Sequence, residues 1–70
     1  MKITVQGLSV QGVSKYPRIA DLNVIDLEED FIGDAVVLFC SPTLEARDAF
    51  FIWCDKHDYL AEAEEAQPDE

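Results

Sequence analysis

The sequence predicts a small α+β domain, in which an antiparallel sheet of two to three strands is followed by one long C-terminal helix. Three observations predict this fold class. The 70 residues suffice for one domain, apolar stretches before residue 41 are typical of strands, and helical spacing follows a Ser-Pro pair. We therefore divide the chain into a single domain, residues 1–66, and a frayed acidic tail, residues 67–70.

The first strand is predicted over residues 2–13. Ile3 and Val5 alternate with polar residues, and the apolar phase changes at Gly7, which indicates a bulge or a tight turn. The stretch contains two copies of a pentamer, VQGLS and VQGVS. Two copies do not define a repeat architecture, so chance, local duplication and a functional meaning all remain open.

Two further segments read as strands. Alternating apolar residues favour a strand over residues 19–27, although the Asp and Asn residues within it are unfavourable there. An acidic turn over residues 28–33 then leads to a strand over residues 34–40. The unbroken apolar run of this last segment predicts a central strand that is covered on both faces.

The helix is predicted to begin at Ser41-Pro42 and to end at about residue 66, before Pro68. The side of the helix that faces away from the predicted core carries Leu44, Phe51, Ile52 and Tyr59 among carboxylates, which indicates a second contact within the fold or with a partner. At helical spacing, the predicted core stripe comprises Ala46, Ala49, Phe50, Trp53, Cys54, His57, Leu60 and Ala61.

The charges are unevenly distributed along the chain. Residues 1–20 carry three basic residues and no carboxylate, whereas residues 21–70 carry all fifteen carboxylates, and the net charge is −10. Such an excess of negative charge disfavours nucleic acid and anionic membranes as partners and favours basic protein surfaces.

The candidate chemical sites have weak support. The acidic turn lacks the ligand pattern of a calcium loop, and Cys40, Cys54 and His57 supply three zinc ligands where a closed site takes four. A Cys54–His57 catalytic pair would need a pocket as well as a core within 70 residues. We expect no enzyme activity, no metal and no cofactor, with both cysteines reduced. Lacking a signal peptide pattern, the chain is expected to be cytoplasmic.

The leading hypothesis is a non-enzymatic module that docks its acidic residues on a basic protein surface, such as one that binds nucleic acid. In size and acidity the chain resembles small phage-encoded inhibitors, including DNA mimics and anti-CRISPR proteins, and this resemblance in composition implies an inhibitor in the host cytoplasm. The alternative is a structural or assembly subunit that forms a homodimer or larger oligomer by apolar contact, with the acid as a solubility coat. The predicted partner-binding residues are Asp26, Glu28, Glu29, Asp30, Asp48, Phe51, Asp55, Asp58, Tyr59 and Glu62.

Overall fold

A computed structural model describes residues 1–65 of the chain. Within this range the sheet has four strands in the order β2-β3-β1-β4, and each strand is antiparallel to its neighbours. Because β1 lies between β3 and β4, the unit β3-α2-β4 is a split βαβ motif. The elements are β1 (Lys2–Gln6), α1 (Val10–Val13), a 3-10 helix (Ile19–Leu22), β2 (Val24–Asp30), β3 (Ala35–Cys40), α2 (Leu44–Lys56) and β4 (Leu60–Glu64).

The predicted fold class is wrong in its strand number and in its long C-terminal helix. The sheet has four strands, and α2 has 13 residues and ends at Lys56. Asp58 adopts a left-handed φ of 61°, the Tyr59 amide donates to the Cys54 carbonyl at 2.9 Å, and the Asp58 amide donates to the Asp55 carbonyl at 3.2 Å. These two bonds form a Schellman motif, which ends the helix and turns the chain back to pair β4 with β1.

The first strand is shorter than predicted. Gly7 ends β1 with a φ of 82°, and its amide donates to the Asp34 carbonyl at 3.0 Å. The Ser9 hydroxyl then caps α1 by accepting from the Gly12 amide at 3.0 Å. The first copy of the pentamer therefore spans the end of β1 and a turn, whereas the second copy contains all of α1.

The predicted strand over residues 19–27 and the predicted turn over 28–33 are both displaced. Residues Ile19–Leu22 form a 3-10 helix, Asn23 adopts a left-handed φ of 50°, and β2 continues through Glu28 and Glu29 to Asp30. The carboxylates fit this strand because β2 is an edge strand, where charged side chains reach water. The turn between β2 and β3 occupies residues 31–34.

The core lies between one face of the sheet and α2. The inner strands contribute Ile3, Val5, Val36 and Leu38, which pair in register as Ile3–Leu38 and Val5–Val36. The connection from β1 to β2 covers the rest of this face. The buried residues that complete the cluster are Leu8, Val13, Tyr16, Leu22, Cys40, Ala46, Phe50 and Cys54.

The start and the core stripe of α2 also differ from the prediction. Thr43, not Ser41, is the N-cap, and its hydroxyl accepts from the Ala46 amide at 3.1 Å. The predicted stripe is correct at Ala46, Phe50 and Cys54, which are buried. It is wrong beyond Lys56, because His57 is exposed and residues 60 and 61 belong to β4.

The second face of β3 is not covered by any element in residues 1–65, so this part of the chain does not supply the second cover that was predicted for a central strand. Val37 and Phe39 on that face are half-buried, and α2 packs on the opposite one. None of the helices in this part of the chain has the length and apolar character needed to span a bilayer. The predicted tail, residues 67–70, lies outside the described range.

Candidate protein-docking site

The uncovered side of the sheet is the candidate docking site, and we call it the open face. Successive side chains of a strand alternate between faces, so the register of the four strands shows which residues share it. One row across the sheet is Glu28–Val37–Thr4–Glu62, and the next is Asp26–Phe39–Lys2–Glu64. The open face comprises Lys2, Thr4, Gln6, Ile25, Asp26, Glu28, Asp30, Ala35, Val37, Phe39, Leu60, Glu62 and Glu64.

The two inner strands carry the apolar part of the open face, with one charged residue, Lys2, beside Phe39. Val37 and Phe39 on β3 and Thr4 on β1 are half-buried, because the side chains around them cover them only in part. Beside Phe39, a bulge in β2 displaces Ile25 from the ladder and leaves it 75% exposed. We call Thr4, Val37 and Phe39 the floor of the open face.

Carboxylates border the floor on both sides. Asp26, Glu28 and Asp30 on β2 form one line, and Glu62 and Glu64 on β4 form the other, and all five are exposed. We call these lines the two walls. Since adjacent strands are about 4.8 Å apart, the backbones that carry the walls are separated by roughly 14 Å. Carboxylates two residues apart on one strand are spaced by roughly 7 Å.

The walls have no ion-pair partner among residues 1–65. The salt bridges in this range join Arg18 to Asp21 at 2.9 Å and Arg47 to Asp48 and Glu65 at 3.5 and 3.9 Å. Lys2 is the one basic side chain on the open face, opposite Glu64 in the register. The open face therefore presents five carboxylates and one ammonium group to a partner.

A pocket of about 440 Å³ lies at the end of the open face where β1 begins. Its lining includes Phe39 and Ile25 together with Lys2 and Glu64. It is large enough for one apolar side chain of a partner, with carboxylates beside it. The remaining lining residues are Met1, Cys40 and Glu65.

The structure divides the sequence-predicted contact residues between two sides of the molecule. Asp26, Glu28, Asp30 and Glu62 share the open face. Glu29 opposes Val36 and so lies on the helix side of β2, at the outer margin. The predicted contact residues on α2 or in the turn that follows it lie in the opposite layer, namely Asp48, Phe51, Asp55, Asp58 and Tyr59.

Phe51 and Tyr59 are less available to a partner than the sequence suggested. Both are half-buried and pack against the core. The ring of Phe51 lies 6.4 Å from that of Phe50, and the ring of Tyr59 lies 5.7 Å from that of Trp53. Their surface thus contributes mainly to the packing of α2 and the turn that follows it.

The hairpin tip between β2 and β3 is a feature that the sequence reasoning missed. Phe31 is 89% exposed and Ile32 is 100% exposed. The carboxylate of Asp30 accepts from the amides of Ile32 and Gly33 at 3.0 and 2.9 Å, which fixes the turn. The sequence did contain a signal for this exposed tip, because two large apolar residues stand between acidic residues in a segment that was predicted to be a turn. Ile25 and Glu64 were missed as well.

The thiol and imidazole groups are not arranged as a reactive pair. Cys54 is buried in the core, and burial raises the pKa of its thiol to about 11. Burial also raises the pKa of Cys40, and the N-terminal ammonium opposes that increase. His57 is exposed, with its ring 4.8 Å from that of Trp53. Residues 1–65 contain no cluster of three His, Cys, Asp or Glu side chains placed to hold a metal ion.

Comparisons of the chain with models of protein families, with curated proteins and with solved structures found no match.

Proposed function

We propose that this protein is a non-enzymatic binding module that docks its open face on a basic surface of another protein. One observation carries the proposal: an uncovered apolar floor lies between two walls of carboxylates that have no ion-pair partner in residues 1–65. Covering apolar surface with a partner lowers the free energy by about 25 cal/mol per Å² of surface removed from water. The walls restrict which partner can do so.

The charge of the walls selects a basic protein. Lysine and arginine side chains of a partner would meet the carboxylates at the rim, which accelerates association and discriminates against acidic proteins. Nucleic acid and anionic lipid carry the charge of the walls and are repelled. A second copy placed face to face would bring Glu28 and Glu62 against carboxylates, so self-association through this face is disfavoured.

A protein surface that binds nucleic acid has the charge that the open face requires. Its basic residues are placed to contact phosphates, and the carboxylates of the walls would occupy those positions. Such binding would exclude nucleic acid, so the proposal extends to inhibition of a nucleic-acid-binding protein in the cytoplasm. This is the mode of action that the composition of the chain suggested.

Two variants of equal charge test the proposal. Glu28→Lys with Glu62→Lys reverses one carboxylate on each wall, and Asp48→Lys with Asp55→Lys reverses two on the helix layer. Each protein, immobilised, is exposed to a lysate of its native host at low and at high NaCl, and captured proteins are identified by mass spectrometry. We expect a basic partner that is retained by the wild type and the helix-layer variant at low salt only. A partner that the wall variant also retains, at both salt concentrations, would contradict the proposal.

The alternative function, an assembly subunit, is favoured by the hairpin tip. Phe31 and Ile32 are almost fully exposed, and apolar groups in that state are candidates for contact with another copy. This function predicts an oligomer that Phe31→Ser with Ile32→Ser converts to a monomer. Light scattering of both proteins at several concentrations distinguishes it from the docking function, which predicts a monomer in each case.

A further inference from the structure

We infer that the open face receives one α-helix of the partner, lying along the strands, with an apolar stripe flanked on both sides by Lys or Arg. This inference rests on the proposed function and specifies the element that docks. It follows from three independent properties of the open face. These are its place on the side of the sheet that has no helix, its width and the order of its charges.

The place of the open face in the fold, on the side of the sheet opposite α2, favours a helix as its cover. On the opposite side of the same strands, α2 packs Ala46, Phe50 and Cys54 on the apolar residues of β1 and β3. The floor residues Val37 and Phe39 continue β3 on the open side, so this strand is apolar on both faces. A sheet that is apolar on two faces is usually covered by an element on each, and helices are the common cover in folds that contain a βαβ unit. Within residues 1–65 the second cover is absent.

The width of the open face fits a single helix. A helix with its side chains is about 10–12 Å across, and the strands that carry the walls are roughly 14 Å apart. β2, with seven residues, is about 23 Å long, which matches about 16 residues of helix, or about 24 Å. A single extended peptide is one strand wide, so it would lie on the floor without a geometric reason to contact both walls at once.

The order of charges sets the sequence pattern of that helix. Going across the sheet, the open face reads acidic, apolar, neutral and acidic in the row Glu28–Val37–Thr4–Glu62, and Lys2 takes the position of Thr4 in the next row. The complementary helix has apolar residues facing the floor and basic residues at both margins, whose long stems can reach the carboxylates. The major groove of B-DNA is about 12 Å wide and also receives an α-helix between two lines of negative charge. A basic helix that enters that groove therefore has both the diameter and the charge that the open face requires.

The test uses three synthetic peptides and the isotope-labelled full chain. The first peptide has about 16 residues, with leucine at helical spacing and lysine at both margins of the leucine stripe. The second has the same composition with leucine and lysine in strict alternation, which favours a strand. The third keeps the lysines and has serine at the leucine positions. Affinity is measured by fluorescence anisotropy, and the binding site is mapped by NMR chemical shifts.

We expect the helical peptide to bind at least about tenfold more tightly than either of the other peptides, because only it meets the floor and both walls together. The largest shifts should occur at Thr4, Val37 and Phe39. The wall variant Glu28→Lys with Glu62→Lys should bind the helical peptide at least about tenfold more weakly, whereas the helix-layer variant Asp48→Lys with Asp55→Lys should change the affinity less than about threefold. Near-UV circular dichroism of Trp53 confirms that both variants are folded.

The outcomes separate this inference from the proposed function. Equal binding of the helical and alternating peptides, both through the open face and both lost at high salt, would overturn the helix and leave a basic partner. Chemical shifts confined to α2 would overturn the open face as the docking site. Failure of all three lysine peptides to bind at low salt would overturn the proposed function as well.

Discussion

Asp58 determines where the chain changes from helix to strand. It adopts a φ of 61°, in a region that L-residues avoid because of contact between Cβ and the carbonyl. Glycine is the usual residue at this position of a Schellman motif. With aspartate there, the sequence carries no glycine to mark the end of α2, and the residues beyond it were assigned to the helix.

Replacing Asp58 with glycine should stabilise the protein. The substitution removes the strain of the left-handed conformation and a negative charge next to the negative end of the helix dipole, and we expect the free energy of unfolding to rise by about 0.5–1 kcal/mol. Urea denaturation measures it. Asp58→Asn, which removes the charge alone, should give a smaller increase, and a loss of stability in Asp58→Gly would show that the motif does not constrain the chain as described.

The buried thiol of Cys54 should make the protein less stable at high pH. Its pKa rises from 9.0 to about 11 on burial, so the unfolded chain loses the thiol proton first. The unfolded state then binds fewer protons than the folded state, and the free energy of unfolding falls as pH rises from about 9 to about 11. Below pH 9 this contribution is fully present.

Urea denaturation at several pH values between 8 and 11, on the wild type and on Cys54→Ala, checks this dependence. The variant should show a shallower loss of stability, though not a flat profile, because burial also raises the pKa of Cys40 and Tyr16. Identical slopes for the two proteins would mean that Cys54 is not sheltered from water in the folded state.

At the scale of elements, Phe50 in α2 and Phe31 in the hairpin tip differ in how much they contribute to stability. Phe50 in α2 is fully buried against the sheet, whereas Phe31 at the hairpin tip is 89% exposed. Phe50→Ala should lower the free energy of unfolding by about 3–5 kcal/mol, enough to unfold a domain of this size. Phe31→Ala should change it by less than about 0.5 kcal/mol.

Thermal unfolding followed by circular dichroism compares the two alanine variants directly. A large loss of stability in Phe31→Ala would mean that the hairpin tip packs against the domain and is not available to a partner. A small loss in Phe50→Ala would contradict the position of α2 on the core.

The sequence predicted those elements whose local pattern agrees with their packing. β3 was placed correctly at its inner position because its apolar run has no polar interruption, and the buried residues of α2 follow from helical spacing. β4 was missed because LAEAE consists of residues that favour helices. Pairing with β1 overrides that preference, and no local signal in the sequence reports a pairing partner 60 residues away, as Ala63 is from Ile3.

The candidate site could be predicted only in part for a related reason. The carboxylates of residues 26–30 and Glu62 were identified as contacts, but the sequence placed Glu62 on the back of a helix. In the structure, β4 brings Glu62 into the row of Glu28, through Thr4 and Val37. The two walls therefore depend on the pairing of β4 with β1. The same pairing separates the walls from Asp48 and Asp55, which lie on α2.

At the scale of the whole molecule, electrostatic repulsion opposes folding. The net charge is −10, and the salt bridges in residues 1–65 involve Arg18 and Arg47 alone. Folding places the carboxylates of both walls on one side of a domain with a radius of gyration of 11.4 Å. A folded domain whose carboxylates repel one another is more stable when salt screens that repulsion.

The melting temperature should therefore rise with salt. Between about 20 mM and about 500 mM NaCl we expect an increase of roughly 5 °C, which corresponds to about 1 kcal/mol for a domain of this size. Differential scanning calorimetry measures it, and KCl should have the same effect, since screening does not depend on the cation. A melting temperature that is constant or falls with salt would show that attractive ion pairs dominate.

β4 has a consequence for how binding can be detected. It lies at the sheet edge, its residues are mostly exposed, and its sequence favours another secondary structure. We expect its amide hydrogens to exchange with solvent before those of β1 and β3, because marginal edge strands open locally at low cost. Since Glu62 and Glu64 form one wall, an occupant of the open face would hold this strand closed. Slowed amide exchange in Leu60–Glu64 would then report occupancy for any partner, whatever its identity.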